Sequence, residues 1–233
     1  MALTTPPEIL TVGAPPVAVT LRRNVRARRL TLRVSSVDGT VTLTLPPGVP
    51  VGEARRFLEA RTGWLTAARA RAPEAVEVRA GATLPVEGRP LRLELAEVLR
   101  PVRDGDRLLL RGPAARVGRQ AEAWLREAAR ARLEAAARAY AGRLGRQPAR
   151  VTLRDPRSRW GSCTAEGRLM FSWRLILAPP EILDYVAAHE AAHLVEMNHG
   201  PRFWALVAEL FPDHRAARGW LRSEGPALHR YRF

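Results

Sequence analysis

A chain of 233 residues with 46% hydrophobic and 26% charged residues can bury a substantial core, which excludes an intrinsically disordered protein. No run reaches the ~18 apolar residues of a membrane-spanning helix, and the single cysteine, Cys163, excludes an internal disulfide and fits a reducing, cytoplasmic setting. The net charge of +15 would suit a nucleic-acid partner, but all 38 basic residues are arginine and most are dispersed, which points to compositional bias more than to phosphate recognition.

Residues 1–15 are Pro-rich, lack the basic and apolar regions of a secretory leader, and read as a loose tail. Residues 16–113 read as a β-rich portion. Val17–Leu21 leads into Leu30, Leu32 and Val34, which alternate with polar neighbours. The Val37-Asp38-Gly39-Thr40 turn then separates them from Val41, Leu43 and Leu45, an Asp-Gly hairpin signal. A helix is expected from about Gly52 to Arg71, with Ala54, Phe57, Leu58, Trp64, Leu65 and Ala68 along one stripe and Gly63 weakening its middle. Two further hairpins are predicted, Thr83–Val86 with Leu91–Leu95 and Glu97–Val102 with Arg107–Leu110.

Gly112-Pro113 marks the expected boundary to a second domain, residues 114–233. An Ala- and Arg-rich helix over Arg119–Leu144 buries Trp124, Leu125, Ala128, Leu133, Ala136 and Tyr140. Ala149–Leu153 and Arg168–Leu175 read as strands, with a loop at Asp155–Gly161. Pro179-Pro180 suits a helix start, Gly200-Pro201 opens another helix, and a last short helix carries Trp220 and Leu221. The sequence contains no internal repeat.

The helix after Pro180 carries the chemistry. From Ile182 to Val195 it is apolar on nearly every side, yet it holds Asp184, His189, Glu190 and His193. Buried ionisable groups are costly unless satisfied, and a metal ion would satisfy three of these at once. His189-Glu190-Ala191-Ala192-His193 is an H-E-x-x-H, which puts two imidazoles on one helix face with a carboxylate beside the metal's open position. With 5 histidines in the chain, the pattern arises by chance in about one such sequence in a hundred.

A third ligand is needed. His199 lies six residues past His193, and in a continuing helix it would sit roughly 240° away. The helix is therefore expected to end near Met197 or Asn198, with Asn198 tolerating a left-handed cap, so that His199 returns to the metal. His214, Glu209 and Glu224 are rival third ligands. Arg159, Trp160 and His214 are candidates for substrate contact or support of the site. Arg168–Leu175 is the candidate strand for pairing with an extended peptide. Asp184 is a candidate to orient a ligand histidine.

Beyond these residues, the chain resembles the YgjP-like metallopeptidases, zincin peptidases related to SprT-like proteins. The likeness rests on Ser158-Arg159-Trp160-Gly161-Ser162-Cys163, Trp173-Arg174-Leu175, Pro180 with Asp184-Tyr185-Val186, Met197-Asn198-His199 and Pro201-Arg202-Phe203-Trp204. It is clear from about residue 120 to 225 and weaker before that; Ala191 replaces a larger aliphatic residue usual in the family. The resemblance implies one Zn²⁺ held by His189, His193 and His199, with Glu190 as catalytic base. The expectation is thus an α+β protein, a zincin-like helical catalytic domain with a β-rich N-terminal portion, that hydrolyses peptide bonds in peptide or protein substrates. The alternative is a metal-stabilised, non-catalytic module that contacts nucleic acid through its basic surface.

Overall fold

The computed structural model describes residues 8–35, 39–70 and 74–233. It is an α+β protein, and the chain divides into two compact units on either side of the Glu74–Ala75 bond. No described helix is long and apolar enough to cross a membrane.

The first unit is a four-stranded sheet covered by two helices. Strands β1 (Glu8–Val12), β2 (Val17–Arg23), β3 (Thr31–Val34) and β4 (Val41–Leu45) are ordered β1-β2-β4-β3. The β2/β4 pair is parallel and the other two are antiparallel. Alternation decides the faces: Leu10, Val12, Val17, Val19, Leu21, Val41, Leu43 and Leu45 all enter one core. Part of the expected tail is therefore strand β1, whose Leu10 and Val12 are buried. The expected turn at Val37 and Asp38 lies outside the described residues, although β3 and β4 pair around it as the pattern predicts. The predicted single helix is two, α1 (Val51–Glu59) and α2 (Thr62–Ala70). The break falls before Thr62, not at Gly63. The Thr62 hydroxyl donates to the Glu59 carbonyl at 2.9 Å and so takes up an acceptor that ending α1 leaves free.

The second unit opens with β5 (Val76–Glu77) and a second four-stranded sheet. Its strands are β6 (Thr83–Val86), β7 (Arg89–Leu95), β8 (Val102–Asp104) and β9 (Arg107–Leu110), ordered β6-β7-β9-β8. The order and the alternation of antiparallel, parallel and antiparallel pairs reproduce those of the first sheet. The architecture thus contains a repeat that the side chains do not advertise. The compact unit runs on through Gly112-Pro113 for a packing reason. Leu84, Val86, Leu91, Leu93, Leu108 and Leu110 share one core with the long helix α3 (Val117–Arg143) and the elements after it.

Helix α3 buries Val117, Ala121, Leu125, Ala129, Leu133, Ala137 and Ala141, a four-residue repeat in which small side chains let neighbours approach. A three-stranded sheet follows, β10 (Arg150–Arg154), β11 (Gly161–Cys163) and β12 (Arg168–Ser172), with β12 in the middle. After Ser172 the chain turns into a 3-10 segment, Trp173–Leu177, so the predicted strand over Arg168–Leu175 stops three residues early. Helices α4 (Pro180–Ala192), α5 (Pro201–Leu210) and α6 (His214–Ser223) complete the unit, and β13 (Tyr231–Arg232) pairs in parallel with β5.

Two arginines brace this assembly. Arg132 of α3 bonds the Glu87 carboxylate at 2.7 Å and reaches Asp184 of α4 at 3.5 Å, which ties the β6–β7 turn and both helices together. Asp184 therefore points to this pair and not to a ligand histidine. Arg174 holds Asp155 through two bonds of 2.7 and 3.1 Å and donates to the carbonyls of Leu228 and Tyr231. Its side chain is only 11% exposed. Arg174→Ala strands a partly buried carboxylate and two carbonyls, and should lower the unfolding free energy in urea by about 3 kcal/mol. Loss of the exposed Arg130–Glu127 pair should cost less than about 0.5 kcal/mol. Equal effects would contradict this account of the bracing.

Candidate metal centre

Pro180 sits in the first turn of α4, where its missing N–H costs nothing, and Glu181 places negative charge at the same end. Nine of the thirteen residues of α4 are buried. The helix ends at Ala192, with His193 as its C-cap, about five residues earlier than the expected stop near Met197. Three-residue backbone bonds tighten the chain there, Leu194 N–H to Ala191 and Val195 N–H to Ala192, and the Ala192 carbonyl also accepts from Glu196 N–H. Asn198 is not left-handed; Glu87 is the one non-glycine residue with positive φ among those described. Gly200 is extended and caps α5, with Pro201 in its first turn. The return of His199 thus comes from an early, tightly wound stop and needs no left-handed residue.

That stop brings three imidazoles together. His189 Nε2 and His199 Nε2 lie 3.1 Å apart. One ligand nitrogen from each of His189, His193 and His199 falls within 4.8 Å of the others, the group among the described residues that could hold a metal ion. Glu209, Glu224 and His214 do not join it. Nitrogens about 2.0–2.1 Å from a tetrahedral ion stand about 3.3 Å apart, so the close His189–His199 approach suits a shared cation. The Nδ1 of His193 is 3.0 Å from the Glu196 carbonyl. That bond requires an Nδ1–H, which leaves the Nε2 lone pair for a metal and is a common support for a ligand histidine.

Phe203 of α5, fully buried, forms the floor. It stacks on His193 at 4.4 Å between centroids and meets His189 and His199 edge-on at 4.9 and 4.7 Å. Trp204 lies against His199, and His214 stacks on the far side of the cluster against Trp204. From the sequence, Phe203 had no role at the site beyond its place in the family likeness. Its position two residues into the helix after His199 was the available signal.

Glu190 is 5% exposed, and its Oε2 is buried without a partner among the described residues, as is His189 Nδ1. The carboxylate packs on the Gly161 backbone so closely that a Cβ there would stand 2.5 Å from Glu190 Oε1. Only glycine leaves that space. A cavity of about 260 Å³ is lined by Arg159, Gly161, Ser162, Cys163, Glu190 and the three histidines, with Met197 at its rim. A smaller one of about 200 Å³ adjoins it, walled by Trp160, Tyr185, Val186 and Leu221 beside His189 and Glu190. Trp160 also packs on Gly225 and His229. Arg159 and Trp160 therefore both border the site; His214 lines neither cavity.

Burial sets the electrostatics. It lowers the His189 imidazole to about 3, with the neighbouring His193 and His199 acting in the same direction. It also lowers His193, against the Glu196 bond, so both are neutral and ready to donate a lone pair at neutral pH. Burial raises the Glu190 carboxyl to about 8, opposed by the Arg159 charge. Cys163 is raised to about 11, first by burial and then by Glu190, so its thiol stays protonated beside the cluster. Burial thus holds both the imidazoles and the carboxyl in their neutral forms, and a divalent ion among the imidazoles would favour the carboxylate form of Glu190.

The family model of the YgjP-like metallopeptidase domain matches residues 28–224. The chain belongs to this family. No curated protein and no solved structure matches the chain. Membership of a YgjP-like metallopeptidase family implies a metal ion, and the three histidines are able to chelate one. In this YgjP-like domain the family match runs through both compact units, from before β3 to the end of α6. His199→Ala should weaken binding of one divalent ion by more than about 100-fold, beyond what changes outside the ligand set cost. Competition with a chromophoric chelator measures this, and an unchanged affinity would remove His199 from the set.

Proposed function

We propose that this YgjP-like domain is a zinc-dependent peptidase in which Glu190 acts first as general base and then as general acid. The observation that carries the reading is the buried, partnerless Glu190 carboxylate oxygen in the cavity that the three histidines share. His189, His193 and His199 are the proposed ligands. Three neutral imidazoles and an open position suit zinc better than oxygen-seeking ions. A bound zinc ion supplies Lewis acidity, which polarises a peptide carbonyl and lowers the pKa of a water.

The protein's own groups do the rest. Glu190 takes a proton from the attacking water and delivers it to the leaving amide nitrogen. Burial raises its proton affinity, which suits the delivery half, and the charge of a divalent ion bound beside it would favour the carboxylate that the first half needs. Gly161 holds the carboxylate in place by letting it lie against the backbone. Arg159, on the cavity wall, offers positive charge to a peptide carbonyl oxygen as negative charge builds there.

The backbone of β11 supports an extended substrate. Strand β12 is paired on both sides and cannot accept one, which overturns the sequence-based choice of Arg168–Leu175. Strands β10 and β11 are the two edges of the sheet, and of these β11 lines the cavity. Trp160 and Thr164 bond across to Ser172 and Arg168. By antiparallel alternation, the N–H and C=O groups of Gly161 and Cys163 then face outward, towards a peptide. The aromatic side cavity beside Glu190 favours an apolar residue next to the cleaved bond.

Glu190→Gln should cut hydrolysis of an unfolded protein substrate by about 10²- to 10⁴-fold while the metal stays bound. Gly161→Ala should cost about 100-fold through displacement of the carboxylate, again with the metal retained. Peptide release followed by mass spectrometry, with metal content measured in parallel, checks both. Wild-type hydrolysis by the Glu190→Gln protein would eliminate Glu190 as the base. A chain that binds metal and cleaves nothing in any form would favour the non-catalytic alternative.

A further inference from the structure

The first unit holds a second cavity, of about 550 Å³, that the peptidase reading does not use. Its walls are Arg29 and Leu30 just before β3, Thr31 and Leu32 within it, and Phe57, Arg61 and Trp64 from α1, α2 and their link. Strand β3 is the outer strand of its sheet, so the cavity is an open trough between a sheet edge and a helix pair. Trp64 is 53% exposed, unusual for a residue with so large an apolar face. The Arg61 guanidinium lies 3.7 Å over the Phe57 ring and donates to the Phe57 carbonyl, so its charge is held in place. No carboxylate lines the trough, and no ion pair among the described residues involves Arg29 or Arg61.

We infer that this trough binds single-stranded nucleic acid, with bases stacked on Trp64 and phosphates on Arg29 and Arg61. The charge complementarity is one-sided: two cations, one of them (Arg61) held in place, with no competing anion suit a polyanion. The aromatic faces select which kind. An exposed indole gives a base a stacking partner, and Arg61 gives a second planar, cationic surface. A duplex keeps its bases stacked on one another and offers those surfaces nothing. An acidic polypeptide would match the charge but would leave the indole unused.

The test uses the full chain and a fluorescein-labelled oligothymidylate, with binding read by anisotropy over a series of salt concentrations. Trp64→Ala should weaken binding about tenfold, and Trp64→Phe should restore most of it. Arg29→Gln with Arg61→Gln should lower the slope of log affinity against log salt by about 1.4, two phosphate contacts at about 0.7 each. Arg56→Gln with Arg69→Gln removes the same charge from α1 and α2 outside the trough and should leave the slope unchanged. These side chains are exposed, and an unaltered circular dichroism spectrum verifies each fold. Binding indifferent to Trp64→Ala, equal effects of the two arginine pairs, or equal affinity for the duplex would overturn the inference. Displacement of the oligonucleotide by polyglutamate at matched charge would overturn it in favour of an acidic polypeptide.

Discussion

The convergence of His189, His193 and His199 depends on where α4 stops. Had the helix continued, His199 would project away from the face that His189 and His193 share. Instead the chain winds tightly after Ala192, the His193 ring bonds the carbonyl of the turn that follows it, and α5 begins at once on Pro201. Phe203 then lands beneath all three rings. The turn and the floor position each other, since the same few residues form both.

Around this corner, burial acts as the chemical control. The rings and the carboxyl of Glu190 lie where charge is poorly solvated, so His189 loses proton affinity and Glu190 gains it. Two buried polar atoms, on His189 and Glu190, have no protein partner among the described residues. Such orphans lower stability, and Ser172, Trp173 and Arg230 carry three more, but His189 and Glu190 are the two that line the cavity the three histidines share. The stability comes from elsewhere, from the α3–α4 core and from Arg132 and Arg174, which tie that core to the surrounding loops. Glycine at 161 leaves the space in which the Glu190 carboxylate lies against the backbone.

Much of the site was legible because its signals are local. The H-E-x-x-H spacing brings two imidazoles together by helix geometry alone, and the proline and glycine pairs mark the starts of α4 and α5. The stop of α4 was misplaced because Leu194 and Val195 continue the apolar pattern, while the bonds that end the helix are backbone ones with no side-chain signature. Strand β11 was missed because Gly161-Ser162-Cys163 has neither β-propensity nor alternation; it is a strand because β12 pairs with it. The division into compact units was hidden for a related reason. Gly112-Pro113 is a true local break, but Leu84 to Leu110 pack with α3 beyond it, and such non-local burial leaves no mark at the break itself.

X-ray absorption at the zinc edge on the zinc-loaded protein tests the central claim most directly. The account predicts a shell of three imidazole nitrogens at about 2.0–2.1 Å, with no sulfur. A sulfur contribution at about 2.3 Å, which only Cys163 or a methionine could provide, or a shell of fewer than three imidazoles, would contradict it.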